Sequence, residues 1–260
     1  LEFRRVLFRS VPSDFERYSG RLNYDNNLTS KLKIGTSINL SKVYRNVSSN
    51  DNNPKGVINS AIFVRSYLPI YNEDGSYARY GSFDNHLALI EHLDNNATTW
   101  RTIGNLFLEY NLLKELKFRS SWSLDNTDLT ESNYADTFIS AGIATNGSAT
   151  SYKAKNIVYT AEQLLTYNKV FKDKHALNVL LGNTVNAVQE EYTSASGQGF
   201  ATNDLKDISV AATKSGSASK SESRLLSFFG KASYTFNNKY TIDGSIRADA
   251  SSKFGKNKRW

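Results

Sequence analysis

Cysteine and methionine are absent from this chain of 260 residues, and proline occurs three times. Without cysteine there can be neither a disulfide framework nor a thiolate metal site. No run of about 18 apolar residues exists, which excludes a transmembrane helix. It leaves open a transmembrane barrel, whose alternating strands score as polar overall. With no methionine and no leader pattern, the chain reads as a fragment or a processed product. Residues 1–10 (Arg4, Arg5 and Arg9 among Leu, Val and Phe) do not continue the pattern that follows. They are set aside as a non-native scar, so the native chain is expected to begin near Val11.

A dense basic stripe is also missing. The formal charge is +7, from 32 Lys and Arg against 25 Asp and Glu, but the cations stand singly between apolar residues or at turns. Nucleic-acid binding needs a clustered basic footprint, so no nucleic-acid partner is expected. What the chain does have is aromatic residues at 12%, nearly all Tyr and Phe, spaced by Asn, Ser, Thr, Lys and Gly. That mixture suits many strands with one wet face.

The organising signal is a period of two, and it recurs in pairs. Tyr18, Gly20, Leu22 and Tyr24 alternate with Arg17, Ser19, Arg21 and Asn23; after a polar turn, Leu32, Ile34, Ile38 and Leu40 alternate with Lys33, Ser37 and Asn39. Successive side chains of a strand point to opposite faces, so each run has one apolar and one polar face. The unit returns around turns at residues 113–115, 171–174 and 237–238. Hairpins are expected near 16–42, 100–126, 156–191 and 224–252. In the third, Val158 and Leu164 fall on the polar face and Gln163 on the apolar one. In the fourth, Phe229 is the exception.

Two features choose among fold classes. The arms run about 10 to 15 residues, whereas soluble strands usually run about 5 or 6 and bilayer-crossing strands about 9 to 11. Connections within hairpins are short, while those between them are long: 46–99, 126–155 and 192–224. Tight turns at one end and long loops at the other mark an outer-membrane barrel. The expected fold is all-β: an antiparallel up-and-down meander of about eight long strands, part of a larger transmembrane β-barrel. The polar ending at residues 256–260 adds to that expectation, because a complete barrel normally ends in a lipid-facing strand. Lys231, Asp243, Arg247 and Asp249 share one face and are the candidate lumen charges. Tyr24, Trp100, Tyr110, Phe171, Phe236 and Tyr240 are expected near the membrane interfaces. Alternation also fits an ordinary sheet packed on a core. A soluble extracellular carbohydrate-binding module and a non-transporting barrel or adhesin therefore stay open.

Several stretches resemble the SusC/RagA family of TonB-dependent outer-membrane transporters of Bacteroidetes. Residues 245–260, SIRADASSKFGKNKRW, are similar to that family's R-x-D-x-S-S-x-F-G segment, which runs to a terminal Asn/Arg-Trp. Residues 226–240, LSFFGKASYTFNNKY, and 166–182, TYNKVFKDKHALNVLLG, resemble two of its hairpins, and SYLPIYNEDG within 59–75 resembles one of its loops. The resemblance covers most of residues 13–260. It implies a 22-stranded barrel of the plugged type, lying in outer-membrane lipid and capped by a SusD-like surface lipoprotein. Such a protein imports glycans or peptides with energy delivered through TonB. The plug and the TonB-contacting segment would lie in an N-terminal part outside this sequence.

Chemical sites are sparse. His86 and His92 lie among Asp84, Glu91 and Asp94, but their spacing does not match a zinc helix, and a polar external loop is the expected setting. No carboxylate pair stands beside a nucleophile motif, so neither an enzyme nor a cofactor is expected. The Gly-Ser stretch at 216–219 lacks the lysine and the strand–helix context of a phosphate loop. Residues 53–65 read as a short amphipathic helix with Pro54 in its first turn and Pro69 beyond its end. Tyr71, Tyr77, Tyr80, Trp100 and Tyr134 are candidate exposed loop aromatics for substrate or lid contacts.

Overall fold

A computed structural model describes residues 13–46, 56–65, 67–81 and 83–255. The proposed scar at 1–10, the Asn53-Pro54 helix start and the polar ending at 256–260 lie outside the described residues. Eight strands form one antiparallel sheet in sequence order. They are β1 (Asp14–Asn27), β2 (Leu32–Asn46), β3 (Leu93–Asn111), β4 (Leu116–Ala135), β5 (Ser148–Phe171), β6 (His175–Gln198), β7 (Thr213–Phe236) and β8 (Tyr240–Ser251).

Tight turns join the strands within each hairpin. In the β5–β6 turn, Lys172 and Asp173 take φ of 49° and 54°; in the β7–β8 turn, Asn237 and Asn238 take 52° and 51°. Paired left-handed residues twist a turn in the sense that strands twist, and Asn and Asp tolerate that region best. At the β1–β2 turn the Thr29 hydroxyl accepts from the Lys31 and Leu32 amides at 3.2 and 3.0 Å.

The register places every apolar stripe on one face. Reading across the sheet, Leu22 opposes Ile38, Thr36 opposes Leu106, and Leu106 opposes Trp122. Trp122 then opposes Ala161, Ala161 opposes Val185, Val185 opposes Leu226, and Leu226 opposes Ala250. Beside the tight turns the stripes cover residues 32–40, 116–124, 157–167, 177–187, 226–236 and 240–250. Those spans are nine to eleven residues, matching the roughly 9–11 a tilted strand needs to cross a bilayer. No Lys, Arg, Asp or Glu stands on this face within them; the polar exceptions are Thr36 and three neutral neighbours in register, Ser120, Gln163 and Asn183.

The strands outrun the stripes. Sequence periodicity starts the third hairpin near residue 156 and ends it near 191, but β5 begins at Ser148 and β6 continues to Gln198, each with 24 residues. Likewise β3 starts at Leu93 and β4 runs to Ala135. Much of the expected loop length is thus paired strand, leaving connections at 47–92, 136–147 and 199–212. The reason is physical: alternation records which side chains meet an apolar medium, whereas the backbone ladder pairs with or without it. At about 3.3 Å per residue a 24-residue strand measures about 80 Å, far more than a hydrocarbon layer of about 30 Å requires.

The sheet is a single layer. Ile246 is 78% exposed, Ile242 71% and Leu22 63%, so the apolar face has no covering layer among the described residues. The two-layer sandwich expected of a soluble module is not the observed arrangement. Buried apolar residues gather at the long-loop end instead. One cluster joins Val57, Ala88, Leu89, Ala135 and Ile139; another joins Tyr134, Ala149, Phe200 and Ala211.

Candidate functional site

Two regions carry polar chemistry: the second face of the sheet and the loop cluster above it. On the polar face, Arg101 of β3 forks onto Asp125 of β4, its Nε and Nη2 donating at 2.9 and 2.6 Å. Glu109 lies between Lys117 at 2.9 Å and Arg119 at 3.5 Å. Arg45 and Glu131 reach toward each other at 3.8 Å across the small Ala97, which separates them in register. These pairs are partly exposed, so each holds orientation more than it adds stability, at about 0–1 kcal/mol.

The four candidate lumen charges all lie on this face. The structure joins two of them: Arg247 Nε is 2.9 Å from Asp249, and Arg247 Nη2 donates to the buried Ser227 hydroxyl at 3.2 Å. Lys231 and Asp243 share the face, facing Ser245 and Ser233 respectively. Neither is ion-paired among the described residues. Lys239, at the start of the β7–β8 return, lies over the Tyr240 ring, 5.4 Å from its centroid.

Two phenylalanine rings on the polar face each stand opposite a glycine. Phe107 opposes Gly35, and its ring lies 4.3 Å from the Arg119 guanidinium and 5.7 Å from Lys33 Nζ. Phe229 opposes Gly182, with the Arg247 guanidinium 5.9 Å from its ring.

The loop cluster begins with two short helices, α1 (Val57–Phe63) and α2 (His86–His92). Only Val57 and Ser60 of α1 are buried; Ile62 is 69% exposed, so the helix does not lay down its whole apolar stripe as the sequence implies. Asn85 caps α2: its Oδ1 accepts from the Leu87 and Ala88 amides at 3.0 and 3.4 Å, and its Nδ2 donates to Ile70 O at 2.7 Å. The buried Asp84 accepts from Ser140 N and Oγ at 3.1 and 2.6 Å, tying this loop to α3 (Ser140–Ile143). His92 Nδ1 meets Asp136 at 2.5 Å, Glu91 accepts from the Tyr77 hydroxyl, and Asp94 binds Lys206 at 2.6 Å. His92 and the acidic residues of this stretch are therefore bound to separate partners on three loops, while His86 Nδ1 is buried with no hydrogen bond among the described residues. The α2 helix was legible in the sequence as an Asp-Asn pair preceding HLALIEH, a helix-start signal that periodicity alone misses.

The candidate aromatics divide. Tyr71 is 47% exposed and packs on Tyr77, ring centroids 5.3 Å apart. Tyr77 is half-buried, edge-on to His92 and Phe138, and its hydrogen bond to Glu91 pushes the phenol above its ordinary pKa. Tyr80 donates to Pro69 O at 2.6 Å, and burial raises its pKa. Tyr134 corrects the expectation of an exposed loop aromatic. It is 5% exposed, edge-on to Phe200, with Lys206 Nζ 5.3 Å from its ring. Trp100 is not in a loop: it stands on the apolar face at the upper limit of the stripe, with Lys42 5.0 Å from its ring centroid.

No protein-family model matches the chain. Three curated proteins of Formosa agariphila do. The TonB-dependent receptor P3 is 30% identical over 264 residues, taking in 96% of this chain and 26% of that protein. TonB-dependent receptors P26 and P39 are 25% and 26% identical over 95% of this chain. Among solved structures, the RagAB peptide transporter superposes with a TM-score of 0.78 at 22% identity, over 96% of this chain and 29% of that one. The RagAB peptide importer in its closed-closed state gives 0.79. The chain is similar to a barrel segment of TonB-dependent receptors. The segment spans about a quarter of the length of these curated relatives. The outer edges of β1 and β8 agree with that share: among the described residues each offers an unpaired backbone ladder, which a closed barrel satisfies with further strands.

Proposed function

We propose that this segment is wall of an outer-membrane importer energised through TonB. Its apolar face would meet outer-membrane lipid, and its charged face would line the lumen around Lys231, Asp243, Arg247 and Asp249. The observation carrying this reading is one uncharged apolar band running through all eight strands of a single layer. A Lys or Arg in that band would cost about 2–4 kcal/mol at the bilayer midplane. A soluble sheet with such a face would need a second layer to cover it.

The cargo is a glycan or a peptide, and the name of the structurally similar RagAB transporter favours a peptide. A SusD-like surface lipoprotein is the expected external partner. The loop cluster, with Tyr71, Tyr77 and Tyr80 at its edge, is the region that would meet cargo or that lid.

The test is expression of the full-length protein, followed by fractionation and uptake measurement. The reading expects it in the outer-membrane fraction, monodisperse only in detergent, with peptide or glycan uptake lost in a strain lacking TonB. A protein that stays soluble and monomeric without detergent would overturn it.

A further inference from the structure

Above the level of the apolar band the polar face continues, and its chemistry changes. Tyr152 of β5 and Tyr192 of β6 lie on this face, each five positions past the last stripe residue of its strand, Ile157 and Ala187. Five positions along a strand are about 17 Å, less in height once the strand tilts, so both rings stand above the hydrocarbon. The rings are near-parallel, 22° apart, with centroids separated by 6.3 Å. Tyr192 is 38% exposed.

Their surroundings are hydroxyls and amides. Next to Tyr192, β7 presents Ser215, Ser217, Ser219, Ser221 and Ser223 at successive positions of this face, although serine is not among the strand-favouring residues. On the other side, Glu131 is the register partner of Tyr152, and Asn133 Nδ2 donates to Thr150 at 3.2 Å. Glu131 and Asn133 also close a notch of about 310 Å3 with Arg45, Asn95 and Ala97. At this height (residues 127–135, 148–156, 190–198 and 213–223 of β4 to β7) the face carries no Lys or Arg, and its acids are Glu131 and Glu190. The flanking cations on β2 and β3, Arg45 and Arg101, already face Glu131 and Asp125 at 3.8 and 2.6 Å. The loop cluster roofs the notch: Leu93 and Ala135, two positions beyond Asn95 and Asn133, pack with Val57, Ala88 and Leu89. Phe200 and Ala211 of the last long connection pack on the opposite face, against Tyr134 and Ala149.

The face of an aromatic ring carries partial negative charge and attracts the C–H bonds on the flat side of a pyranose. Serine hydroxyls and side-chain amides both donate and accept, as sugar hydroxyls require. With two carboxylates and no unpaired cation among the described residues, the surface repels an anionic sugar or the C-terminus of a peptide.

We propose that Tyr152 and Tyr192, with Glu131, Asn133 and the β7 serine row, form a binding platform for a neutral oligosaccharide at the outer mouth of the lumen. The proposal rests on the importer reading above and names the cargo this wall selects. Its side chains outweigh the peptide in the name of the structural neighbour, which shares 22% identity with this chain.

The experiment titrates the full-length receptor, purified from outer membranes in detergent, with hexasaccharides of neutral glucan, xylan and mannan, with a galacturonate hexamer and with a mixed hexapeptide pool. Calorimetry is expected to show a neutral hexasaccharide bound in preference to galacturonate and peptides. Its affinity should fall roughly tenfold in Y152A/Y192A and stay near wild type in Y152F/Y192F, which keeps both ring faces. On the wild-type protein, the bound sugar should shield Tyr152 and Tyr192, but not Tyr71, from nitration read by peptide mass spectrometry. Preference for peptides or galacturonate, no binding of a neutral hexasaccharide, an unchanged alanine variant, or no shielding would overturn the proposal while leaving the importer reading intact. Absence of the receptor from the outer membrane, or uptake that persists without TonB, would overturn both.

Discussion

Phe229 of β7 occupies the space a side chain on Gly182 of β6 would need: a Cβ at Gly182 would lie 2.5 Å from Phe229 Cζ and 2.8 Å from Leu164 Cδ2. The two residues are directly opposite in the register. A ring laid over a cross-strand glycine covers a backbone that has no side chain of its own. Phe229 and Leu164 therefore make a small apolar patch on the polar face.

Gly182→Val should destabilise the full-length receptor by about 1–3 kcal/mol through overpacking. Adding Phe229→Ala should recover part of the loss, since it empties the contested space. Chemical unfolding in lipid vesicles measures both, and additive losses in the double variant would contradict the pairing.

The two faces should respond oppositely to charge. Ile246→Lys places a cation in the apolar band and is expected to cost about 2–4 kcal/mol. Ser245→Lys, one residue away on the polar face, should stay within about 0.5 kcal/mol. The same vesicle unfolding assay separates them.

Arg101 and Asp125 should be only weakly coupled despite their forked geometry, because their side chains are 49% and 33% exposed. A double-mutant cycle with Arg101→Gln and Asp125→Asn should give about 1 kcal/mol or less. A larger coupling would mean that this part of the polar face is shielded from water in the complete barrel.

Asn85→Ala removes the α2 cap and the bonds that hold residues 70 and 78, a loss of about 1 kcal/mol for the cap alone. The damage should be local. Hydrogen exchange is expected to quicken in residues 67–92, while amides of β5 and β6 keep their protection.

Much of this architecture was written in side-chain alternation, because the membrane-facing half of each strand must sort apolar from charged. The strand ends were not, since beyond the band polar residues stand on both faces of β5 and β6 and pairing leaves no periodic trace. Phe229 stood out as an exception in its own strand, but its reason sits on another strand 47 positions away, as its register partner Gly182. Tyr134 looked like an exposed loop aromatic because the residues that bury it, Phe200 and Lys206, come from a different loop. For the charged face, the sequence placed Arg247 and Asp249 together, whereas the separation of Lys231 from Asp243 depended on side-chain geometry.

The most direct test of the central claim uses the lack of cysteine in this stretch. Single cysteines placed along residues 224–250 of the full-length receptor in vesicles would carry a spin label, read for collision with oxygen and with a water-soluble nickel complex. The account predicts oxygen maxima at the even-numbered positions from Leu226 to Phe236 and from Tyr240 to Ala250, nickel maxima at the odd ones, and a switch to nickel access at Arg224. Uniform access, or oxygen maxima at Lys231 and Arg247, would contradict it.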